Sequence, residues 1–341
     1  MRKLLRVLGL VLLGLTAGTA LAVEAPETPK LTIAVGGKGL FYYLPLTIAE
    51  RLGYFKDEGL EVTIADFPGG AKALQSLVGG SADLVSGAYE HTINMQAKGQ
   101  MIRSVVVQGR YAGIVLGLTK ERAAQYRSPA DLKGLKVGVT APGSSTNIFV
   151  NALLAKAGLK PDAVSIIGVG AGAGAVAAVQ KRQVDAMANL DPVVNLLEVS
   201  GDMVAKVDTR TLEDQKALYG ADYAAGVIYS REDFIQKNPR TVQAVVNAMV
   251  RALRWIQKAT PEQIVATVPP EYYGDQKAMY RVALGKNFAS FSPDGQMNMA
   301  AAQNVYAMLK TFEPSVQAAG KIDLARTFDN RFVAEALKRY K

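Results

Sequence analysis

The 341-residue chain has no cysteine, a single histidine (His91) and one tryptophan. Without cysteine there are no disulfides, thiolate metal sites, cysteine nucleophiles or lipid-modified cysteine. With one histidine there is no H-E-x-x-H metal motif. No G-x-S-x-G nucleophile elbow and no P-loop G-K-[ST] occurs. Gly168, Gly170, Gly172 and Gly174 alternate with small residues but miss the G-x-G-x-x-G spacing of a dinucleotide site. Basic residues are scattered rather than blocked, which speaks against nucleic acid. Beyond residue 22 no apolar run reaches the roughly 20 residues that a membrane span needs. The expectation is a protein without catalytic residues, cofactor or metal.

One apolar run lies at the start. Arg2, Lys3 and Arg6 precede the stretch 8–15 (LGLVLLGL), and small residues lead to Ala20-Leu21-Ala22, an A-x-A cleavage pattern. Residues 1–22 are expected to be a secretory signal, with the mature protein free in a periplasm. The leader carries +3 of the formal net charge of +9, leaving a modest surplus of six that favours an anionic ligand or partner. About 320 mature residues with 49% apolar content suffice for two domains.

Short β-rich runs alternate with amphipathic helical stretches. Strands are read at 31–35, 61–65 and 83–85, with helices at 45–58, 70–78 and 89–98. The pattern restarts with strands at 135–140, 164–169 and 185–189 and helices at 144–157, 174–182 and 193–199. Such alternation implies an α/β protein with mainly parallel sheets flanked by helices. Gly70-Ala71-x-Ala73-Leu74-x-x-Leu77 aligns with Gly172-Ala173-x-Ala175-Val176-x-x-Val179, and each run reaches an aspartate, Asp83 or Asp185, 13 residues after its glycine. This reads as one unit present twice, one per lobe. Extended stretches at 102–118 and 223–229 supply a two-segment hinge. The expected lobes are 23–115 with 225–341, and 116–224. Val242, Val245, Val246, Met249, Val250, Leu253 and Ile256 form a helical stripe. Further helical patterns at 276–286, 297–312 and 331–340 are expected to cap lobe one.

In open parallel sheets, ligands bind beyond the carboxyl ends of the strands. The loops there are 36–43, 67–71, 86–91, 140–147, 170–174 and 189–192, all rich in small residues. Small residues admit backbone close to a ligand, and helix N-termini bind oxyanions. Ser144, Ser145, Thr146 and Asn147 follow Pro142-Gly143 and open a helix. They fit N-capping and ligand contact alike. Gly70, Ala71 and Gly172 are candidate backbone donors. Phe41 and Tyr42, beside Tyr43, fit a cleft wall or a core staple. Lys38 fits an anion partner or a solvated lysine. Tyr89 and His91 stand at a cleft-side helix start. Asp191 either receives a ligand donor or caps the next helix.

The pattern Pro45-x-x-x-Ala49-x-x-x-Gly53-Tyr54-Phe55-x-x-x-Gly59-Leu60-x-Val62 resembles the opening signature of ABC-transporter substrate-binding proteins of the nitrate/taurine/aliphatic-sulfonate type. Asp131-Leu132-Lys133-Gly134-x-x-Val137-Gly138-Val139, leading into Ser144-Ser145-Thr146, and Gln183-Val184-Asp185-Ala186 are similar to later phrases of that family. The resemblance implies a two-lobed type II periplasmic binding fold that closes on a small molecule. It also implies delivery by a monomer to an inner-membrane permease with a cytoplasmic ATPase. A relative of that fold is a pyrimidine synthase with a cysteine-rich motif, absent here. The ligand expected first is a small organic anion: a sulfonate, a taurine-like molecule or a carboxylate. A pyrimidine or other thiamine-precursor heterocycle is the alternative, motivated by Glu90, Asp191 and the tyrosines. A ligand-sensing role beside a membrane receptor is the other.

Overall fold

The structure, a computed structural model, describes residues 25–340. The leader read at 1–22 lies outside the described residues. The strands in chain order are β1 (Lys30–Val35), β2 (Glu61–Asp66), β3 (Leu84–Ala88), β4 (Ile102–Val107), β5 (Val115–Thr119), β6 (Lys136–Val139), β7 (Ser165–Gly168), β8 (Ala186–Asn189), β9 (Met203–Asp208) and β10 (Gly226–Arg231). They form two five-stranded sheets with the orders β2-β1-β3-β10-β4 and β7-β6-β8-β5-β9. In each sheet one strand, β10 or β5, runs against the other four. Both reversed strands are the first to arrive from the other sheet, through crossings at 108–114 and 209–225. The crossings are tied together. The N–H groups of Gln108 and Gly109 donate to the Gly226 carbonyl at 2.8 and 3.0 Å, and Ala225 N–H donates to the Gly109 carbonyl at 3.2 Å.

The aspartates at the end of the repeated spacing do the same work twice. Asp83 accepts from Thr32 N–H at 2.8 Å and Asp185 from Lys136 N–H at 2.9 Å. Each carboxylate thereby satisfies a backbone donor at the start of the sheet's central parallel strand, where the ladder alone leaves it open. The helices at the same spacing, Gly70–Val78 and Ala173–Gln180, lead into β3 and β8, which pair with those strands.

Several expectations need adjusting. The helix read at 45–58 is two, Leu44–Arg51 and Tyr54–Asp57, because Gly53 turns left-handed with φ of 75° between them. The stretch 102–118 splits into β4 and β5, which belong to different sheets. The stripe of seven apolar residues is fully buried on the helix Pro239–Lys258, which packs against Leu44–Arg51 and Arg331–Arg339. The tail does more than cap the first sheet. The helix Lys277–Asn287 reaches across to Val193–Val199 beside the second sheet. Among the described residues no helix is long and apolar enough to cross a membrane.

The loop after β1 lies directly on the start of the Gly70–Val78 helix. A Cβ added at Gly36 would stand 2.2 Å from the Gly70 nitrogen and 2.3 Å from the Gly69 carbonyl carbon. Both obstacles are backbone and cannot swing aside. Gly36→Ala should therefore cost about 1–3 kcal/mol through overpacking, read as a lower urea midpoint at unchanged m. An unchanged midpoint would mean that the two segments part without penalty.

Candidate functional site

Loops at the carboxyl ends of the two sets of strands meet along one seam. Ala71 N–H donates to the Ser144 hydroxyl at 2.9 Å. Phe41 N–H donates to the Asp191 carbonyl at 3.0 Å. Glycines make the approach possible: an added Cβ at Gly37 would meet the Ala171 Cβ at 2.3 Å, and one at Gly69 the Ala141 Cβ at 2.9 Å.

Three helices begin at this seam: Gly70–Val78, Ser145–Lys156 and Ala173–Gln180. Their N-cap residues, Gly69, Ser144 and Gly172, make no side-chain capping bond, and no first turn carries an acidic residue. Apart from Ala71 N–H, which the Ser144 hydroxyl receives, the first-turn N–H groups gain no bond from their own N-cap side chains, and no carboxylate in a first turn offsets the partial positive charge of these helix ends. Ser144 spends its hydroxyl on the facing helix instead of its own.

The candidate residues divide accordingly. Gly70, Ala71, His91 and Ser144 come together. A Cβ on Gly70 would lie 3.6 Å from His91 Cε1, 3.7 Å from the Tyr43 hydroxyl and 4.0 Å from the Ser144 hydroxyl. Ser145 is half-buried in the first turn beside them. Thr146 turns inward to Thr140, accepting from its N–H at 3.0 Å, and Asn147 accepts from Gly143 N–H at 2.9 Å, so both brace the loop. Phe41 is buried against the Tyr280 ring. Tyr89 points into the core, its hydroxyl 2.5 Å from that of Thr327; the next residue, Glu90, is the one that faces the tyrosines. Lys38 pairs with Glu50 at 3.3 Å and, with Gly172, lines a cavity of about 800 Å³. That cavity opens between the loops 37–39 and 66–68 on one side and 171–176 and 192–196 on the other, roofed by Tyr272, Tyr273 and Tyr280. Its size is that of a small-molecule site.

His91 joins the lobes. Its Nδ1 lies 3.0 Å from the Tyr229 hydroxyl on β10 and its Nε2 3.4 Å from the Gly143 carbonyl. A carbonyl only accepts, so Nε2 carries the proton and Nδ1 accepts from Tyr229. Burial pushes the imidazole down to about 4, which keeps it neutral at physiological pH. Gly87 makes room for this contact, since a Cβ there would stand 2.9 Å from the Tyr229 ring.

Glu90 is buried in the first turn of the next helix. Its Oε1 accepts from the Tyr223 hydroxyl at 2.8 Å, and its Oε2 has no partner among the described residues. Burial pushes its carboxyl up to about 7. Tyr42, Tyr219 and Tyr223 gather round it. Burial first, and the nearby Glu90 carboxylate second, hold the Tyr42 and Tyr223 phenols well above their ordinary value. Residues 219, 223 and 229 carry no local signal beyond the i, i+4 spacing of Tyr219 and Tyr223; only the fold brings them to Glu90.

Asp191 belongs to a buried ionic knot. It accepts from Asn195 N–H at 2.8 Å at the start of the next helix, from Asn287 Nδ2 at 2.7 Å and from Arg210 Nη1 at 3.3 Å. Burial raises its carboxyl, and Arg210 opposes that rise. Burial also works against the Arg210 charge, but Asp208, Glu198 and Asp191 more than offset it and hold the guanidinium protonated. Asp191 thus acts as helix cap and ion partner at once. Arg210 escaped the sequence reading because it lies 19 residues away.

Residues 41–264 match the family described as NMT1/THI5 like. The chain belongs to this family. A protein of solved structure from Bordetella bronchiseptica RB50 is 52% identical, with a TM-score of 0.90 over 93% of this chain and 99% of that one. The alkanesulfonate-binding protein of Xanthomonas axonopodis pv. citri, solved bound to MOPS, is 19% identical over 89% of this chain and 98% of that one, with a TM-score of 0.69. That likeness is one of fold, and the fold is the two-lobed type II periplasmic binding fold. The 4-amino-5-hydroxymethyl-2-methylpyrimidine phosphate synthase of Aspergillus parasiticus is 27% identical over 79% of this chain and 78% of its own. A protein named as a synthase is thus among the similar sequences, while the fold is shared with an alkanesulfonate-binding protein.

Glu90 makes a pH signature. Its carboxyl loses its proton near 4.5 in the unfolded chain and near 7 in the folded one. Below 4.5 it is protonated in both states. As pH rises through this window only the unfolded chain releases the proton, so stability falls, by about 3 kcal/mol at the upper end. Glu90→Gln should remove this fall. Urea unfolding at pH 4.5 and pH 8 should show the variant gaining on wild type as pH rises. A difference independent of pH would mean that Glu90 ionises normally.

Proposed function

We propose that the protein is the solute-binding component of an ABC importer, taking a small organic anion between two lobes that close about the paired crossings. The carrying observation is the contact between Ala71 N–H and the Ser144 hydroxyl, at two uncapped helix N-termini that face each other. An oxyanion set between those ends receives backbone N–H groups from one lobe and a hydroxyl and N–H groups from the other, so binding and closing coincide. A carboxylate or sulfonate suits such donors. The third helix end, at Gly172, extends the same field into the 800 Å³ cavity, which has room for more than an inorganic ion.

The reading is of a receptor without turnover. Catalysis like that named for the Aspergillus relative is disfavoured by the chemistry at hand. The chain has no cysteine, and its one histidine is held neutral between Tyr229 and Gly143. The signal-like leader supports a periplasmic site of action, with the protein diffusing as a monomer to a membrane permease. A pyrimidine-type ligand is the second reading, favoured by the name of that relative and by the tyrosines around Glu90.

Thermal shifts against a panel of small sulfonates and carboxylates test the first reading, since a ligand at 100 times its Kd stabilises by about 2.7 kcal/mol. Combining Ser144→Ala with Ser145→Ala should weaken the best binder at least about tenfold, the loss of one or two charge-assisted hydrogen bonds. The ligand-free melting temperature should move by only a few degrees. Undiminished affinity would take this helix start out of the site.

A further inference from the structure

We propose that the ligand held at this seam also carries a nitrogen donor (an ammonium, amidinium or protonated ring nitrogen) that Glu90 receives inside the tyrosine cluster. The inference rests on the anion reading above and adds a second, opposite charge to the same molecule.

Glu90 is only 2% exposed, yet its Oε2 accepts no hydrogen bond from any described residue. No Lys or Arg among the described residues pairs with it, although buried carboxylates are normally paired. The neighbouring His91 offers no charge, because its two nitrogens are committed to Tyr229 and Gly143. Asn94, four residues on and on the same helix face, has its Oδ1 buried without a donor as well. The Tyr42 hydroxyl, near Glu90, is a third buried group without a partner. The Asn94 amide oxygen can only accept, the Glu90 oxygen does so whenever its carboxyl is ionised, and the Tyr42 hydroxyl can do so. What the cluster lacks is an N–H donor, and a second carboxylate or sulfonate there would be repelled by the ionised Glu90.

The rings supply the rest of the recognition. Tyr219 and Tyr223 stack with centroids 4.5 Å apart beside the carboxylate, and Tyr42 packs edge-on to Tyr43 at 5.2 Å. Electron-rich ring faces around a carboxylate favour a cation over a neutral group. The cluster is also close to the anion end. Tyr43 and His91 both border Gly70, and Tyr42 adjoins Tyr43, so one or two side chains separate the facing helix starts from Glu90. A small zwitterion spans that interval.

Matched probes decide it: ethanesulfonate against taurine, and benzoate against 4-amidinobenzoate, with Kd measured by calorimetry on wild type, Glu90→Gln and Tyr42→Phe. In wild type the nitrogen-bearing member of at least one pair should bind about 10-fold or more tighter than its partner. Glu90→Gln keeps the shape and an acceptor for Tyr223, and should shrink that preference to within about threefold while leaving the nitrogen-free anion's Kd unchanged or improved. Tyr42→Phe, which removes one neutral acceptor and keeps the ring, should lower the preference by less than Glu90→Gln does. If anions bind but amine and non-amine probes bind alike, or if the preference survives Glu90→Gln, the inference is overturned and the anion reading stands. If no member of either pair binds, the anion reading fails and this inference fails with it.

Discussion

Two lobes meet along a seam where side chains are nearly absent. Gly37 lies against Ala171 and Gly69 against Ala141, each too close for a Cβ, while Gly36 lets the loop after β1 rest on the helix start at Gly70. Without side chains in between, the polar ends of helices approach one another rather than being covered by capping groups. That constraint produces the rest. Helix-end N–H groups gather at one place, Ser144 turns its hydroxyl to the opposite lobe, and His91 bridges Tyr229 on β10 and Gly143. Glycine here serves close approach, not flexibility.

The seam separates two kinds of electrostatic demand. Around Gly70, Ala71, Ser144 and Gly172 the surplus is of donors, from three helix ends with no acidic residue in their first turns. Around Glu90 the surplus is of acceptors. Asp191 looks from sequence like a third ligand group, but Arg210, Asn195 and Asn287 saturate it. Its knot ties the crossing at 209–225 to the tail helix Lys277–Asn287, so it fixes the frame within which the unsaturated groups are held.

Much of this frame was legible before any coordinates. The glycine-to-aspartate spacing of the two units has a local cause, a carboxylate bound to the backbone at the start of β1 or β6, and local causes leave marks in sequence. The helix starts at Gly70, Ser145 and Ala173 were legible for the same reason. The edge strand β9 was not, because its residues are largely half-exposed and its apolar alternation is weak. The reversal of β5 and β10 depends on where the chain re-enters each sheet, a tertiary choice. The Glu90 cluster was visible only as scattered tyrosines, since Tyr223 lies 133 positions from its partner.

The cross-seam contacts include a charged set at the tail helix, Asn287 to Asp191 and Lys286 to Glu198, and a neutral set, Ala71 to Ser144, Phe41 to Asp191 and His91 to Gly143. The neutral bonds contribute about 1 kcal/mol each in net terms. A ligand shifts a balance between open and closed forms only through its differential affinity for the closed form. Here the differential is built in. On the proposed function, the donors for an acidic group come from both lobes, so only closure presents them together. The unpaired carboxylate of Glu90 makes closure on an unsuitable molecule less favourable, because its desolvation is then left without compensation. On the proposed function, capture and selection follow from one geometry, in which some polar groups at the seam are satisfied by the protein and others are left for what enters it.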